Sequence, residues 1–382
     1  MEKYILSCCS TADLTKEHFE AIDVKYICFH YELDGVEYPD DLGQTIGFED
    51  FYRRMAAGAD TKTSQVNADE FEAYFEPFLR EGYDILHVCL SSGISGVINS
   101  ANIAKAALEE KYPDRKIYVV DSLGASSGYG LIMDTLSTLR AEGRSIDELR
   151  EWIEENKLRL NHWFFSTDLS FYIKGGRISK TAGAIGKVLN ICPLLNMDNL
   201  GRLIPRYKIR TKKKVIQAIV DRMAENARDG LDYSGKCYIS QSGCVEDAKE
   251  VARLVEEKFP KLDGAVEINY VGTTIGSHTG PGTVALFFWG KERTEESKKA
   301  GPYKSSFKSF SLIQPIFLKN NPNAHARTPG SMKLMSTSSS QSKPVMAVLV
   351  PAAISLSHPV YTPIWPTRPQ VPIPEATAAP FI

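Results

Sequence analysis

The chain has 382 residues, 24% of them charged, and a formal net charge of -2. Such a small net charge argues against a nucleic acid or an anionic membrane surface as the main partner. The cysteine count of seven is odd and no C-x-x-C pair occurs, a pattern typical of reduced thiols in a cytoplasmic protein. No apolar run is long enough to predict a membrane span.

The first part of the chain, residues 1–161, alternates short apolar runs with helical patterns. This alternation predicts an α/β fold with a mostly parallel sheet, whose ligand lies beyond the carboxyl ends of the strands. The predicted strands are Tyr4–Cys8, Val24–His30, Asp84–Leu90 and Lys116–Val120. Asn67 and Glu70 have the spacing of a capping box, which predicts a helix that begins directly after Asn67.

A loop of small hydroxyl residues follows the strand Asp84–Leu90, with the sequence Ser91-Ser92-Gly93-Ile94-Ser95-Gly96. A helical pattern begins after it, so free N–H groups and the positive end of a helix dipole meet at this corner. A small anion is the natural occupant. The loop contains no Lys, Asp, His or Cys, so it is better suited to holding an acid than to attacking one. Alternatively, these serines only cap the helix.

The second part, residues 162–292, predicts a second, mixed α/β domain. It contains Lys174-Gly175-Gly176-Arg177-Ile178-Ser179, a helix through Ala182 and Leu189 that we expect to stop at Pro193, and a basic run from Arg202 to Lys214. Further strands and one helix are predicted at Cys237–Ser240, Val245–Phe259, Val266–Val271 and Thr283–Trp289. Residues 293–382 are rich in proline and serine without sustained periodicity, so we expect a flexible extension.

Five motifs in a fixed order carry a family resemblance: Cys9-Ser10-Thr11-Ala12-Asp13-Leu14, Lys62-Thr63-Ser64-Gln65, Ser91-Ser92-Gly93-Ile94-Ser95-Gly96, Gly175-Gly176-Arg177-Ile178-Ser179 and His278-Thr279-Gly280-Pro281-Gly282. Over residues 1–292 the chain resembles the DegV family of bacterial fatty-acid-binding proteins. The resemblance implies a two-domain α/β fold with one long-chain fatty acid buried between the domains, so that the second domain closes the lipid cleft. It also implies that the protein presents this acid to a separate fatty acid kinase, which phosphorylates the carboxylate to an acyl phosphate.

The same resemblance implies the site residues. Thr63 and Ser95 match the family's carboxylate contacts, and we add their neighbours Ser64 and Ser92 as ligand contacts. His278 matches a histidine that lies near the carboxylate. Two arginines, Arg210 first and Arg202 second, match a region that serves the encounter with the kinase. The carrier then has no catalytic residue, metal or cofactor of its own, since ATP and magnesium belong to the kinase.

The sequence departs from the family pattern at three positions, where Cys9, Val66 and Val97 replace an aspartate, a proline and a threonine that are common there. The hydroxyl positions stay intact. Apolar residues of the right type for a lipid tunnel, which are equally compatible with an ordinary core, are Phe29, Phe71, Phe75, Phe164, Phe165, Ile173, Ile185, Leu189 and Ile191.

Other functions leave weaker signals in the sequence. A serine-dependent lipid or ester hydrolase could use the Ser91–Ser95 loop, but Val97 stands where a nucleophile elbow has its second glycine, and no general base is marked nearby. Neither phosphate-binding glycine motif occurs. Histidines and cysteines form no cluster with the spacing of metal ligands. The basic run from Arg202 to Lys214 is either a solvated face or a docking surface for the kinase.

Overall fold

The computed structural model describes residues 3–179, 191–294 and 301–302. The α/β prediction is confirmed. In chain order the strands and helices are β1 Tyr4–Cys9, α1 Lys16–Ala21, β2 Lys25–Ile27, β3 His30–Leu33, β4 Val36–Pro39, α2 Phe48–Ala56, β5 Thr61–Ser64, α3 Ala68–Arg80, β6 Asp84–Cys89, α4 Val97–Lys111, β7 Ile117–Asp121, α5 Ser127–Ala141, α6 Ile146–Asn156, β8 Leu160–Ser166, α7 Ser170–Lys174, β9 Ile191–Met197, β10 Leu203–Arg210, α8 Lys212–Asn226, β11 Tyr238–Gln241, α9 Val245–Lys258, β12 Glu267–Tyr270, α10 Thr273–Thr279, β13 Thr283–Trp289 and β14 Gly301–Pro302.

Four strands form a parallel sheet in the order β2-β1-β6-β7. Every residue of β6 is buried, which explains why its sequence is mostly apolar. The capping box predicted before α3 is present, because Asn67 Oδ1 accepts the Glu70 N–H at 2.9 Å and Glu70 Oε2 accepts the Asn67 N–H at 2.8 Å. It fixes the start of a helix that buries Phe71 and Phe75 against this sheet.

The predicted strand Val24–His30 is wrong as one element. The chain leaves the parallel sheet after Ile27, and the Phe29 N–H donates to Ser10 Oγ at 3.1 Å. A new strand, β3, begins at His30 and pairs antiparallel with β4 and β5 in a separate three-stranded sheet. The register places Tyr31 opposite Thr63, so this small sheet, which the sequence did not predict, positions the Thr63 side chain.

The largest sheet is mixed and has seven strands in the order β12-β11-β13-β8-β9-β10-β14. The expectation that Pro193 ends a helix is wrong, because Pro193 lies within β9 and pairs with Lys208 of β10. The predicted helix through Ala182 and Leu189 lies outside the described residues. Strand β13 has the predicted bounds, Thr283–Trp289.

The main hydrophobic core runs from the parallel sheet into the inner face of the mixed sheet, where it includes Phe164 and Phe287. A second core lies beneath α8 and α9 and includes Phe165. The predicted domain limit at residue 161 lies within β8, and the domain limits stay predictions. The described helices include none that is both long enough and apolar enough to span a membrane. The expected flexible extension lies outside the described residues, apart from 293–294 and 301–302.

A charged cluster joins the parallel sheet's helices to the mixed sheet. His18 Nε2, on α1, lies 3.2 Å from Asp134 Oδ1 on α5. His18 Nδ1 lies 3.0 Å from Glu267 Oε1 on β12. Lys236 Nζ donates to the other oxygen of Asp134 at 2.7 Å. The hydrogen bonds to Asp134 and Glu267 raise the pKa of His18 to about 9, so the imidazole is a cation at neutral pH.

Candidate functional site

A cavity of about 660 Å³ opens at the carboxyl ends of the parallel strands, as expected for an α/β sheet. Four elements meet there: the end of β5, the loop after β6, the turn after α7, and α10. They bring Thr63, Ser95, Arg177 and His278 to the wall of one cavity. The cavity is also lined by Ser64, Gln65 and several apolar side chains, among them Phe29, Leu90 and Leu203.

The hydroxyl loop between β6 and α4 divides its serines between two tasks. The buried Ser91 is structural, because its Oγ donates to the Gly201 carbonyl at 2.9 Å and accepts the Gly93 N–H at 3.1 Å. Ser95 Oγ accepts the Val97 N–H at 3.2 Å at the start of α4, which partly fits the helix-capping alternative. The described residues supply no acceptor for the Ser95 O–H, which therefore remains able to donate to a ligand in the cavity.

Ser92 differs from the other two serines. It is exposed, its backbone N–H donates to Asp121 Oδ1 at 3.2 Å, and it does not line the cavity. Ser64 is also exposed but lines the cavity, so the structure brings it together with Thr63. The predicted roles of Ser64 and Ser92 as ligand contacts stay predictions.

Thr63 forms a short hydrogen-bonded chain with His278 and Arg177. Thr63 Oγ1 lies 2.7 Å from His278 Nε2, and Arg177 Nη1 lies 3.5 Å from His278 Nδ1. Gly175 permits this approach, because a Cβ at that position would lie 2.3 Å from His278 Nδ1. The Gly-Gly-Arg motif and the histidine before Thr-Gly-Pro-Gly, 101 positions apart, therefore form one structural unit.

The chain of hydrogen bonds determines which ring nitrogen of His278 carries the proton. A guanidinium can only donate, so Nδ1 must be the acceptor and the neutral ring carries its proton on Nε2. Burial and the Arg177 charge lower the pKa of His278 to about 4, which keeps the ring neutral at physiological pH. Nε2–H then donates to Thr63 Oγ1, and the Thr63 O–H is free to donate to a ligand.

The same geometry argues against a nucleophile at Thr63. In a catalytic triad, a carboxylate accepts the Nδ1–H and leaves Nε2 free to take the nucleophile's proton. Here Arg177 occupies the carboxylate's place, so Nε2 is already protonated and His278 cannot act as a base toward Thr63. Within the described residues, Ser95 Oγ has only the Val97 N–H as a partner, so it has no general base either.

Arg177 supplies the positive charge of the cavity. Its Nε donates to the Ile94 carbonyl at 3.2 Å and its Nη1 to the Gly175 carbonyl at 2.6 Å. These acceptors are neutral, and in the part of the chain that the structure describes no carboxylate forms an ion pair with Arg177. Burial lowers the pKa of this half-buried guanidinium, so an anion from outside would stabilise its charged form.

An apolar chamber of about 60 Å³ continues from the larger cavity. The two spaces share wall residues, namely Ile94, Tyr172, Leu203, Ile275 and Thr279. Deeper in the chamber the wall consists mainly of Phe164, Phe287, Met197 and Ala285. Polar groups at the mouth and apolar groups at depth are the arrangement that an amphipathic molecule with an acidic head requires.

The predicted tunnel residues divide between cavity and core. Phe29 lines the larger cavity, and Phe164 lines the apolar chamber. The others that the structure describes do not line either space: Phe71, Phe75 and Ile173 belong to or pack against the main core, Phe165 belongs to the second core, and Ile191 begins β9. Ile185 and Leu189 lie outside the described residues.

The two arginines predicted to meet a kinase lie at opposite ends of β10. Arg202 precedes the cavity residue Leu203 and donates through Nε and Nη2 to Asp198 Oδ2 at 2.9 and 2.7 Å. Arg210 ends the strand and is exposed. At about 3.3 Å per residue, the strand separates them by about 25 Å. The docking role of each stays a prediction.

Arg177 makes structural hydrogen bonds to two backbone carbonyls and is also the charged group of the cavity, a second role that the sequence does not predict. The available signal was the motif itself, a glycine pair followed by one arginine. The described residues contain no group of three or more His, Cys, Asp or Glu side chains arranged to hold a metal ion.

Comparison with known proteins places these features in a family. Residues 9–291 match the family described as "Uncharacterised protein, DegV family". A DegV domain-containing protein of Clostridium perfringens is 37% identical over 290 residues, covering 76% of this chain and 98% of the relative. A solved DegV family protein from Thermus thermophilus, described by its fatty acid binding, aligns with a TM-score of 0.67 and 25% identity over 76% of this chain and 100% of its own.

A third similar protein is the fatty acid kinase (Fak) B3 protein of Streptococcus pneumoniae, whose structure is loaded with linoleic acid. It aligns with a TM-score of 0.65 and 22% identity over 76% of this chain and 100% of its own, which shows a shared fold. The family match covers well over half of the chain, and the Clostridium perfringens relative is aligned over almost its entire length. This chain therefore belongs to the DegV family.

Proposed function

We propose that this protein binds a long-chain fatty acid, with the carboxylate at the cavity mouth and the alkyl chain extending through the larger cavity into the apolar chamber. The observation that carries the proposal is the guanidinium of Arg177, which faces a cavity without an acidic partner among the described residues. The Thr63 and Ser95 hydroxyls beside it have O–H groups free to donate. The lipid and fatty acid ligands of the similar DegV structures support the same assignment.

The two halves of the ligand contribute differently to binding. Each hydrogen bond between a hydroxyl or guanidinium and the carboxylate contributes about 1.5–3 kcal/mol. Burying the chain contributes about 0.8 kcal/mol per methylene, so about fifteen methylenes contribute about 12 kcal/mol, more than the head-group contacts together. Ordering and association oppose part of this sum. The alkyl chain therefore sets the affinity, and the head-group contacts set the orientation.

The first experiment identifies the ligand. Full-length protein purified from bacteria is denatured, and the released small molecules are analysed by mass spectrometry. We expect a free long-chain fatty acid in about equimolar amount. If the protein carries no fatty acid, binds none after delipidation and hydrolyses esters, the result would favour a hydrolase over a carrier.

The second experiment tests the head-group contacts. Thr63→Val and Ser95→Ala each remove one donor, so we expect the affinity of delipidated protein for a long-chain fatty acid to fall about tenfold or more. Ser92→Ala tests the other predicted contact of the same loop, and we expect a smaller loss there because Ser92 is exposed and lies off the cavity wall. Equal losses in all three variants would contradict the proposed geometry.

We further propose that the bound carboxylate is presented to a separate kinase, which supplies ATP and magnesium, while the carrier itself needs no cofactor. Support comes from the fold shared with the pneumococcal Fak B3 protein and from the position of the carboxylate site at the cavity mouth. The cytoplasmic location expected from the cysteine pattern is part of this proposal.

The kinase proposal is tested with charge reversals in a phosphorylation assay that contains a fatty acid kinase, ATP and magnesium. Arg210→Glu should slow acyl phosphate formation without changing fatty acid affinity, because Arg210 is exposed and far from the cavity mouth. Arg202→Glu should also weaken binding, since it breaks the bond to Asp198 next to the cavity. Loss of binding in Arg210→Glu would show a structural role and refute docking there.

A further inference from the structure

Two cysteines lie side by side at the carboxyl ends of neighbouring strands. Cys9 ends β1 and Cys89 ends β6, and the parallel register pairs Cys8 with Val88, so the next pair along the strands is Cys9 and Cys89. Neighbouring strands are about 4.8 Å apart, which lies within the Cα separation that a disulfide requires. Both thiols are free and buried.

A hydrogen-bonded chain of side chains ends on the Cys9 sulfur. The Tyr74 hydroxyl lies 2.9 Å from Ser7 Oγ, and Ser7 Oγ lies 2.9 Å from His87 Nδ1. His87 Nε2 in turn lies 3.6 Å from Cys9 Sγ. With Ser7 donating to Nδ1, the imidazole proton is on Nε2 and points at the sulfur. The Leu90 backbone and the Cys89 side chain also lie beside this sulfur.

These contacts distinguish Cys9 from the other buried thiols. Burial acts to raise its pKa, but the hydrogen bonds from Cys89, His87 and Leu90 lower the pKa of Cys9 to about 6. Burial raises the pKa of Cys8, Cys89 and Cys237 instead. Since the thiolate is the reactive form, Cys9 is the attacking sulfur of the pair, and Cys89 is the one that resolves the product.

We propose that Cys9 and Cys89 are a peroxide-sensitive dithiol beneath the cavity, which hydrogen peroxide or another small hydroperoxide oxidises to a disulfide. The Cys9 sulfur attacks one peroxide oxygen, the O–O bond breaks, and the leaving hydroxide takes a proton to become water. The Cys89 sulfur then attacks the sulfenic acid of Cys9, loses its thiol proton and displaces a second water. In sum, two thiols and one hydrogen peroxide give one disulfide and two waters.

Oxidation would act on the cavity through Leu90. This residue lines the cavity, directly follows Cys89, and directly precedes the loop that begins at Ser91. Formation of the disulfide brings the Cys89 sulfur to about 2.05 Å from the Cys9 sulfur, which shifts the adjoining Leu90 and the loop that carries Ser95. We expect about tenfold weaker binding of the fatty acid. This effect rests on the proposed function, whereas formation of the disulfide does not.

The experiment treats reduced full-length protein with hydrogen peroxide, a probe small enough to reach buried sulfurs during local opening. Intact mass should fall by two hydrogens, and peptide mapping without reductant should join Cys9 to Cys89. Cys9→Ser and Cys89→Ser should each abolish this change. Cys237→Ser is the matched control, because it removes an equally buried thiol far from the pair, and it should keep the change.

Three results would overturn the proposal. In folded wild-type protein, the first is that no disulfide forms, the second is that the disulfide joins other cysteines, and the third is that Cys237 is oxidised as fast as Cys9. The wild-type mapping decides the question even where a serine variant does not fold. Fatty acid affinity is measured before oxidation, after oxidation and after reduction with dithiothreitol. A disulfide without a change in affinity would refute the coupling to the cavity, and a protein that binds no fatty acid would refute the proposed function alone.

Discussion

Replacing Arg177 by Gln isolates the charge of the head-group site. The guanidinium donates to two backbone carbonyls and to His278 Nδ1, and among the described residues no carboxylate neutralises it. A glutamine amide retains a hydrogen-bond donor but has no charge. The substitution should therefore weaken the binding of a fatty acid more than the binding of a fatty alcohol of the same chain length.

The size of this effect follows from the burial of the side chain. A hydrogen bond between two charged groups contributes about 1.5–3 kcal/mol, and solvent screens a half-buried guanidinium, so the lower limit of about 1.5 kcal/mol applies. That corresponds to about a tenfold loss of affinity for the acid. For the alcohol, whose head group has no charge, we expect an unchanged affinity within about twofold.

The assay is a titration of delipidated protein with the acid and the alcohol, monitored by calorimetry. Arg80→Gln is the control, because Arg80 is an exposed arginine on α3. The pH dependence adds a second readout. The His278 pKa is about 4 in the wild type, so the imidazole stays neutral and the acid affinity should not change between about pH 8 and 5.5. Equal losses for acid and alcohol, or no loss at all, would refute the assigned role of Arg177.

Three further predictions concern the framework of the site. His18→Gln should lower the free energy of unfolding most between about pH 5 and 6.5, and the difference from wild type should vanish as the pH rises through about 9. The reason is that the hydrogen bonds to Asp134 and Glu267 raise the pKa of His18 to about 9 in the folded protein. Urea unfolding across this pH range measures the difference. Asn67→Ala should cost about 1 kcal/mol by removing the capping box of α3, measured the same way at one pH. Gly93→Ala should weaken fatty acid binding without unfolding the protein, because the new Cβ would lie 2.4 Å from the Leu200 carbonyl oxygen and push the hydroxyl loop outward. Calorimetry measures the affinity, and circular dichroism checks that the variant is folded.

Much of the fold follows from local patterns. Strands β6 and β13 are mostly apolar runs, and their bounds are predicted to within one residue. The capping box at Asn67 predicts the start of α3, because both partners lie within four residues of each other. Such signals depend only on neighbours in the chain and remain visible in a single sequence.

The sequence does not predict the strands that depend on pairing with distant parts of the chain. Strand Thr61–Ser64 is short and polar, and it exists because β3 pairs with it. Strands β9 and β10 form a hairpin around the turn at Asp198, yet Pro193 looked like the stop of a helix. The alternation of Tyr207 and Ile209 with basic residues in β10 was the available signal.

The candidate site likewise combines features that local motifs predict with features that depend on distant contacts. The hydroxyls of Thr63 and Ser95 belong to ordered motifs, and the structure places both on one cavity wall. The charge of Arg177 and the proton position on His278 depend on a contact between residues 101 positions apart. No local pattern contains that contact, so only the geometry reveals the unpaired charge of Arg177 among the described residues and the proton position on His278.

The most direct test of the lipid-carrier account is a crystal structure with a long-chain fatty acid brominated at its terminal carbon. Anomalous scattering locates the bromine independently of the carboxylate. The account predicts the bromine in the apolar chamber beside Phe164 and Phe287, with the carboxylate within hydrogen-bond distance of Thr63 Oγ1, Ser95 Oγ and Arg177. A bromine at the mouth with the carboxylate elsewhere, or a ligand outside this cavity, would contradict it.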